Sequence, residues 1–518
     1  MKLDNLYNFK NPIKHFLDVD SMILPNDIAS FDITHFSWVA PFNFRVKKCD
    51  DKYRMLKIPN ILNFARAYEQ FKSFPDFQDI QGMDRECKRL SANIDTGDFE
   101  EGEYDRQLEG DFERLCVYDN MIKMDIKEFY GRIYTHNLEI DYNDEKYIYN
   151  MNLGATNGLI MGNYLSLYLA EKILTQISND LKNRINELGI DCEFSYFSDD
   201  FYFFCNKSYN DNIVKIFDKV LEKYELERND AKKEIWTYES FNNYNLVARY
   251  WKKIIVHCNI RFKEDRNDNR LCFINQIVYR MSKLQDDKLK KVFINNFFKT
   301  KYFRQLDLRK YQIRNYDYHQ LCFILKFSPE ALLYAIDKFS EMDGFEKRKM
   351  EKFLKIRYRE VLQQPFNDEQ LYYYYAIKIL DFKDILKETS NFVLKSDNQV
   401  LISYYLKDKI FEEEDINLLK ENYDEKYWFQ NYHLILYLEE LQLNLEESIE
   451  KYLMPKMATK DKQKNMYKSF YSENIRAKKS IVRDVVQVNS KIKTYLSLKI
   501  QESETKFEAR SNSNVMMI

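Results

Sequence analysis

Glycine and proline are scarce in this chain, which has 10 glycines and 8 prolines among its 518 residues. Both residues mark tight turns, so their scarcity favours long helices over a fold built on many short hairpins. No segment approaches the roughly 18 consecutive apolar residues of a membrane-spanning helix, and the first residues lack the apolar segment of a signal peptide. The eight cysteines show no C-x-x-C spacing, which argues against zinc and disulfide frameworks and is typical of a reducing cytoplasm.

An excess of one charge is also missing, because 80 basic residues face 82 acidic ones and the formal net charge is −2. The charge is nevertheless segregated along the sequence. Residues 76–120 carry 14 acids and 5 bases, whereas residues 270–314 and 455–500 each carry 12 bases and 3 acids. Such basic segments are either solvated helix faces or an electrostatic track for a phosphate backbone.

The hydrophobic pattern divides the chain into two halves. Residues 1–255 mix alternating and amphipathic segments, which predicts an α+β domain. Residues 256–518 are helical in pattern almost throughout, and apolar aromatic segments recur there at a spacing of roughly 30 residues. This spacing suits a HEAT-like stack of helix pairs, and an irregular helical bundle fits equally well because no fixed residue signature repeats.

Local patterns give more detailed expectations. We expect a hairpin from residues 39–48 and 52–58, a strand over 115–126 and a helix over 165–188. The acidic, glycine-containing segment 95–111 is predicted to be a loop, and the polar segment 501–518 is predicted to be loosely held.

The most informative segment is Cys192-Glu-Phe-Ser-Tyr-Phe-Ser-Asp-Asp-Phe-Tyr-Phe-Phe-Cys205, whose pattern predicts strand, tight turn and strand. Asp199 and Asp200 lie at its tip. Two carboxylates at the tip of an apolar hairpin repel each other and lose solvation unless a cation binds there. Mg²⁺ held by carboxylates is typical of phosphate chemistry, so the tip predicts a magnesium-dependent site of that kind.

A site with two metal ions needs a further carboxylate from another strand. Asp125 is the candidate, because it ends the apolar segment Met121-Ile-Lys-Met-Asp125 and precedes a helix start. Its carboxylate would then project from the end of a strand. We therefore expect Asp125 and Asp199 to bridge two Mg²⁺ ions, with Asp200 as a supporting carboxylate.

Two of these segments resemble motifs of reverse transcriptases. Asp125-Ile-x-x-Phe-Tyr130 resembles their motif A, and Phe197-Ser-Asp-Asp200 resembles their motif C. Three further segments fit the same family in the same order. The segment from Val46 to Leu56 resembles the fingers hairpin, Gly158-Leu-Ile-Met-Gly162 with Ser166 is similar to motif B, and Asn229-Asp-Ala-Lys232 resembles motif D. The order of the five segments is more specific than any one of them alone.

The resemblance implies a reverse-transcriptase-like domain of fingers and palm over residues 1–255, followed by the helical domain over 256–518. Lys47 and Arg54 would bind the β- and γ-phosphates of the incoming nucleotide, the arginine as a bidentate fork. The Tyr130 ring would pack under the sugar and exclude a 2′-hydroxyl. Lys232 would protonate the leaving pyrophosphate, although Lys233 beside it leaves the register open. The remaining nucleotide-binding positions would be Gly158, Gly162 and Ser166.

Closer similarity is found to the abortive-infection polymerases of bacterial phage defence, of the AbiK type, in Phe129-Tyr-x-x-Ile-Tyr-Thr-His136 and Gly162-Asn-x-Leu-Ser166. That resemblance implies cytoplasmic homo-oligomers that use dNTPs to make single-stranded DNA attached to a tyrosine of the protein, without a template. The alternatives are a defence reverse transcriptase that copies a bound non-coding RNA, and an inactive polymerase fold that serves as an interaction scaffold.

One departure from ordinary reverse transcriptases bears on templating. Ile160 and Met161 stand where the family has Pro-Gln, and methionine cannot make the hydrogen bonds of the glutamine. This favours synthesis without a template. Tyr104, in the predicted loop, and Tyr7, near the first residue, are candidates for the priming tyrosine among the 40 in the chain.

Overall fold

The computed structural model describes residues 3–7, 13–48, 51–77, 80, 83–90, 103–245, 272–284, 286–305, 315–342 and 344–515. The chain forms two compact units, each assembled from separate stretches of sequence. The first unit comprises Met1–Asn43, Leu56–Asn243 and Asn422–Ile481. The second unit comprises Phe44–Met55, Tyr244–Glu421 and Val482–Ile518.

The first 243 residues contain both strands and helices. The strands are β1 (Phe42–Lys47), β2 (Tyr53–Ile58), β3 (Asn120–Asp125), β4 (Cys192–Phe197), β5 (Asp200–Cys205) and β6 (Glu234–Trp236). The helices are α1 (Asp4–Tyr7), α2 (Ile61–Phe71), α3 (Glu103–Val117), α4 (Phe129–Arg132), α5 (Tyr142–Asn150), α6 (Tyr164–Glu187) and α7 (Asn210–Lys223).

The rest of the described chain is helical. Its helices are Cys272–Lys283, Asp287–Lys299, Lys301–Arg304, Asn315–Phe327, Ala331–Phe339, Gly344–Leu362, Asn367–Ile379, Lys383–Glu388, Ser390–Leu394, Gln399–Lys407, Glu413–Lys420, Trp428–Tyr437, Glu439–Leu443, Leu445–Tyr452, Asp461–Arg476 and Val485–Val515. No helix among the described residues is both long enough and apolar enough to cross a membrane.

A four-stranded antiparallel sheet organises the first unit, with the strand order β4-β5-β3-β6. The central strand β3 pairs with β5 from Asn120 opposite Cys205 to Asp125 opposite Asp200. Strands β4 and β5 form the hairpin predicted for residues 192–205, which is thereby confirmed. Because side chains alternate across a strand, this register decides which residues share each face of the sheet.

One face of the sheet is covered by aromatic packing against α7. Phe201 and Phe203 of β5 contact the Phe217 ring, with centroids 5.1 and 5.6 Å apart, and Phe203 stacks on Phe194 of β4. Helix α6, which the sequence predicted over 165–188, packs against α7. The opposite face carries a smaller apolar cluster, which includes Phe112 of α3, Met121, Phe204 and Phe241. That cluster lies where β3 begins, so the end of β3 is left for polar residues.

The region before β3 differs from the sequence prediction. A strand was expected over 115–126, whereas α3 continues to Val117 and the strand begins only at Asn120. Phe112 and Leu115 are both buried and lie three residues apart, which is a helical spacing rather than a strand spacing. The loop predicted over 95–111 is also helical from Glu103 onward, and residues 91–102 lie outside the described part. The segment 501–515, expected to be loosely held, belongs to the helix Val485–Val515.

A helix that is buried on all sides organises the second unit. In Asn367–Ile379 every residue from Asn367 to Ile377 is buried. It packs against helices on both sides of it in sequence, and also against the distant C-terminal helix Val485–Val515. In a solenoid each repeat contacts only its neighbours. The return of the C-terminal helix therefore favours the bundle that the sequence left open over the HEAT-like stack.

Each compact unit combines separate stretches of sequence, whereas the sequence analysis predicted two consecutive domains, 1–255 and 256–518. The boundary predicted at 255/256 falls among residues outside the described part, and the passage between units is placed at Asn243 and Tyr244. Residues 422–481 lie in the first unit because their side chains form hydrogen bonds and ring contacts with residues near the N-terminus. For example, the Asn60 amide donates to the Tyr471 hydroxyl at 2.7 Å, and the Phe42 and Phe429 rings lie 4.7 Å apart. A hydrophobic pattern cannot show such pairings, since they join residues about 400 positions apart.

Replacing Phe217 tests the packing under the sheet. Because its ring contacts Phe201 and Phe203, we expect Phe217→Ala to lower the free energy of unfolding of the first unit by about 3–5 kcal/mol. Urea unfolding followed by tryptophan fluorescence would measure the change. Leu443→Ala is the control, because Leu443 is 84% exposed and should change stability little. Equal effects of the two substitutions would contradict the packing described.

Candidate active site

The three predicted catalytic aspartates lie at one end of the four-stranded sheet. Asp125 is the last residue of β3 and Asp200 is the first residue of β5, and they oppose each other directly. Residues opposed in this way on adjacent strands have Cβ atoms about 5 Å apart on the same face. Asp199 precedes Asp200 in the turn, and its carbonyl accepts from the Ile126 N–H at 2.9 Å. The structure thus brings the three residues together, as the sequence predicted.

The turn that presents Asp199 has two residues, Ser198 and Asp199, between Phe197 and Asp200. Ser198 has a φ of 53°, in the left-handed region that favours glycine. Two-residue hairpin turns need such a conformation to match the twist of their strands. The φ of Ser198 is therefore accounted for by the turn itself.

Asp125 is buried, and both of its carboxylate oxygens are bonded. Oδ1 accepts from the Asn229 side-chain amide at 3.1 Å, and Oδ2 lies 2.5 Å from the Lys232 ammonium. The Asn229 N–H also donates to the Asp125 carbonyl at 2.8 Å, which fixes the segment after α7 against the end of β3. The structure thus places Lys232, rather than Lys233, on the carboxylate, so the first and last residues of the predicted motif D both contact Asp125.

Asp200 lies among charges of both signs. Burial raises the pKa of its carboxyl group, the Lys123 ammonium 3.5 Å away lowers the pKa, and the Asp199 and Asp125 carboxylates raise it again. The balance is upward. Three carboxylates therefore face two ammonium groups, those of Lys123 and Lys232, and the surplus negative charge is partly removed from water.

The segment predicted as motif B lies against the short helix that carries Tyr130. The Leu159 N–H donates to the Tyr130 carbonyl at 2.7 Å, and the Gly158 N–H donates to the Ile133 carbonyl at 2.9 Å. Gly158 has a φ of 91°, and a Cβ atom there would lie 3.1 Å from the Gly131 carbonyl oxygen. Only glycine suits such an approach of two backbones. Tyr130 is half-buried and thus held beside the motif B segment.

Gly162 and Ser166 lie at the start of α6, on either side of its N-cap residue. Gly162 has a φ of 117°, and the next residue, Asn163, accepts from the Ser166 N–H at 2.9 Å as an N-cap. The Asn163 amide in turn donates to the Ile160 carbonyl at 2.9 Å. Ser166 and Ile160 are buried, whereas Met161 between Ile160 and Gly162 is half-exposed. Local structure thus accounts for the serine, and its predicted nucleotide contact stays a prediction.

Lys47 and Arg54 belong to the second unit. The Lys47 ammonium lies 3.4 Å from Glu369 and 3.7 Å from Asp51, and it sits over the Phe366 ring at 4.5 Å. The Arg54 side chain is exposed on β2. The predicted contact of these two cations with a triphosphate stays a prediction.

The donors at the end of β3 and β5 suit Mg²⁺, since carboxylate oxygens are its preferred protein ligands. The surplus negative charge around Asp200 also fits a cation. Within the part of the chain that the structure describes, however, no three acidic, histidine or cysteine side chains already converge as a metal site. The Lys232 ammonium lies against the Asp125 carboxylate, so a metal ion bound there would have to displace it. The predicted division, in which Asp125 and Asp199 hold the metal ions and Asp200 supports them, stays a prediction.

Several residues of the site were missed in the sequence or were seen without their role. Lys123 pairs with Asp200, the Gly131 backbone lies against Gly158, and Asn163 caps α6. Lys123 could have been found, because it lies two residues before Asp125 and so shares its strand face. Gly131 offered no signal beyond being one of few glycines, since the contact with Gly158 depends on tertiary structure.

Comparisons with known proteins find similarity among solved structures, at low sequence identity. No family model matches the chain, and no curated protein matches it. Among solved structures, telomerase from Candida albicans in complex with the TWJ fragment of telomeric RNA is similar at 11% identity and a TM-score of 0.30, over 82% of this chain and 65% of the telomerase chain. Apo telomerase from Candida tropicalis is similar at 13% identity and a TM-score of 0.29, over 72% of this chain and 67% of the other. The chain thus spans about 65% of the length of the first telomerase.

The raised pKa of Asp200 predicts a pH-dependent gain in stability from Asp200→Asn. A carboxyl group whose pKa is raised by folding stabilises the folded protein below its unfolded pKa of about 4, and this contribution is lost as the pH rises. In EDTA at neutral pH the variant should therefore unfold at higher temperature than the natural protein, and the difference should shrink in acid. Thermal unfolding across this pH range measures it. Asp230→Asn is the control, because that carboxylate is 86% exposed; a variant less stable than the natural protein at neutral pH would contradict the expectation.

Proposed function

We propose that the chain is a nucleotidyltransferase, a DNA polymerase of the reverse-transcriptase type that uses dNTPs. The observation that carries the proposal is the direct opposition of Asp125 and Asp200 on adjacent strands, with Asp199 in the turn and Lys232 on the Asp125 carboxylate. The order of these residues in the chain, with Tyr130 and the glycines 158 and 162 between them, supports it.

The residues of the site can divide the work of nucleotidyl transfer among them. Mg²⁺ held by Asp125 and Asp199, with Asp200 in support, would neutralise the triphosphate and lower the pKa of the attacking hydroxyl. Asn229 holds the Asp125 carboxylate in place. Lys232 lies within hydrogen-bond reach of this centre, so its ammonium can give a proton to the pyrophosphate as it leaves. The ring of Tyr130, whose backbone carbonyl is bonded to the Leu159 N–H, would discriminate against a 2′-hydroxyl.

Synthesis without a template is the second part of the proposal, and Met161 supports it. The residue lies half-exposed in the motif B segment and offers no strong hydrogen-bond donor to a template base. We further propose that the first nucleotide is joined to a tyrosine of the chain, as in the abortive-infection polymerases that the motifs resemble, and that the biological role is phage defence by homo-oligomers. Tyr7 is a poor candidate for priming, because it is buried and its hydroxyl donates to the Pro59 carbonyl.

Incubation of the purified protein with labelled dNTPs and Mg²⁺ tests the proposal. Label should migrate with the protein on a denaturing gel, and Asp199→Ala should abolish it. Mass spectrometry of labelled peptides would identify the tyrosine. Sequencing of the product separates the alternatives, since a random sequence supports synthesis without a template and a defined sequence indicates a copied RNA. Absence of any Asp199-dependent incorporation would refute the polymerase and leave the interaction scaffold.

Two adjacent lysines provide a matched test of the site. Only Lys232 contacts Asp125, so we expect Lys232→Met to slow incorporation by about 10²-fold through loss of a proton donor. Lys233→Met should leave the rate within about twofold, since a surface substitution away from the site has little effect. Single-turnover incorporation measures both rates. Similar rates for the two variants would show that Lys232 has no part in the reaction.

A pair of tyrosines tests sugar selection. Removing the ring of Tyr130 should let ribonucleotides compete, so we expect Tyr130→Ala to lower the preference for dNTPs over rNTPs by about 10- to 100-fold. Tyr134→Ala is the control, because Tyr134 lies on the same segment but is 37% exposed and its ring packs on His136. The ratio of kcat/KM for the two nucleotide classes is the measurement. An unchanged ratio in Tyr130→Ala would remove this residue from the sugar pocket.

A further inference from the structure

Two cysteines oppose each other at the open end of the hairpin that carries Asp199 and Asp200. Cys192 is the first residue of β4 and Cys205 is the last residue of β5, and they are partners in the strand register. The other described cysteines with side-chain positions are Cys87, Cys116 and Cys322, and none of these is paired with a further cysteine in the described part of the chain. Among the described cysteines with side-chain positions, two opposed cysteines are thus found in this hairpin.

The register also fixes the type of pair. In a hairpin with a two-residue turn, the residues that flank the turn, here Phe197 and Asp200, form a hydrogen-bonded pair. Hydrogen-bonded and non-hydrogen-bonded pairs then alternate along the strands. Cys192 and Cys205 are the sixth pair from the turn, and so they are a non-hydrogen-bonded pair. Such pairs have the closer Cα atoms, about 4.5 Å apart, and their side chains lie nearer to each other.

That separation falls within the Cα range of disulfides, which is about 4.4–6.8 Å. Each thiol donates to a nearby oxygen, that of Cys192 to the Glu193 carbonyl at 3.5 Å and that of Cys205 to the Asn210 side chain at 3.6 Å. Cys205 is completely buried, whereas Cys192 is half-exposed and can meet a reagent from solution. The pair thus combines an accessible sulfur with a buried partner that is aligned to react with it.

We propose that Cys192 and Cys205 form a reversible redox site, which two-electron oxidants of the peroxide class convert to a disulfide across the hairpin. The Cys192 sulfur attacks a peroxide oxygen and becomes a sulfenic acid, while water leaves. The Cys205 sulfur then displaces a second water from the sulfenic sulfur and forms the S–S bond. Two thiols lose two protons and two electrons in total, and hydrogen peroxide becomes two waters. A low-molecular-weight dithiol reverses the reaction.

The disulfide would bind the strands together without touching the carboxylates. Alternation places the cysteine side chains on the sheet face that carries Phe194 and Phe203, and Asp200 lies on the opposite face at the other end of the hairpin. The cross-link would hold β4 and β5 in register under oxidising conditions. This proposal does not depend on the polymerase activity, because it concerns the thiols alone.

Peptide mapping of the full-length protein tests the proposal. The protein is treated with hydrogen peroxide, remaining thiols are alkylated, and the chain is digested without reduction. We expect a peptide pair joined through Cys192 and Cys205, lighter by two hydrogen atoms than the sum of its parts and separated by dithiothreitol. Cys192→Ser should remove the joined peptide entirely, and it should fold because the residue is half-exposed. Cys116→Ser, at an exposed lone cysteine, should leave it unchanged.

Two results would overturn the inference. One is recovery of Cys192 as a single oxidised or alkylated residue, with Cys205 still a thiol, under conditions that oxidise Cys116. The other is a link from Cys192 to a second chain, seen as a dimer on a non-reducing gel that Cys192→Ser abolishes. Urea unfolding gives an independent readout: the oxidised protein should have a higher midpoint than the reduced one, and Cys192→Ser should show no such shift. An equal midpoint in both states would also count against the proposal.

Discussion

The pairing of β3 with β5 is the constraint on which the site depends. In the observed register Asp125 opposes Asp200, and both carboxylates lie on one face. A shift of one residue would place Asp125 opposite Phe201, and every side chain of one strand would then lie on the other face of the sheet. The register is secured from the other face, where Phe201 and Phe203 pack on Phe217. The geometry of the polar site is therefore fixed by apolar contacts that contain none of its residues.

The same pairing explains why cations surround the site. Two opposed carboxylates about 5 Å apart repel each other strongly once they are removed from water. Lys232 neutralises Asp125, and Lys123 partly neutralises Asp200, whose pKa burial still raises. Asp125 is the more buried of the two and has the closer cation. A metal ion would be attracted by the remaining negative charge, and it would compete with Lys232 for the Asp125 carboxylate.

Much of this site could be predicted from the sequence, because its residues come from short segments with strong local patterns. The 192–205 hairpin and the strand end at Asp125 follow from apolar runs closed by acids. The helix before β3 was missed, since its apolar residues run into those of the strand and only packing separates the two. The assembly of the units could not be predicted at all. Tyr471 bonds to Asn60, and Glu369 bonds to Lys47, across more than 300 positions of sequence.

The second of these long-range contacts changes how Lys47 should be viewed. Its backbone N–H donates to Asp368 and its ammonium lies beside Glu369, while the preceding alternate residue, Arg45, donates its N–H to the Asn367 side chain. Edge strand β1 is thus bound to the first turn of the buried helix Asn367–Ile379. Burial raises the pKa of the Glu369 carboxyl, although Lys47 opposes this, so separating the pair would leave a poorly solvated carboxylate. Any phosphate that Lys47 binds must therefore replace a carboxylate, and the affinity gained is the difference between two ion pairs rather than the value of one.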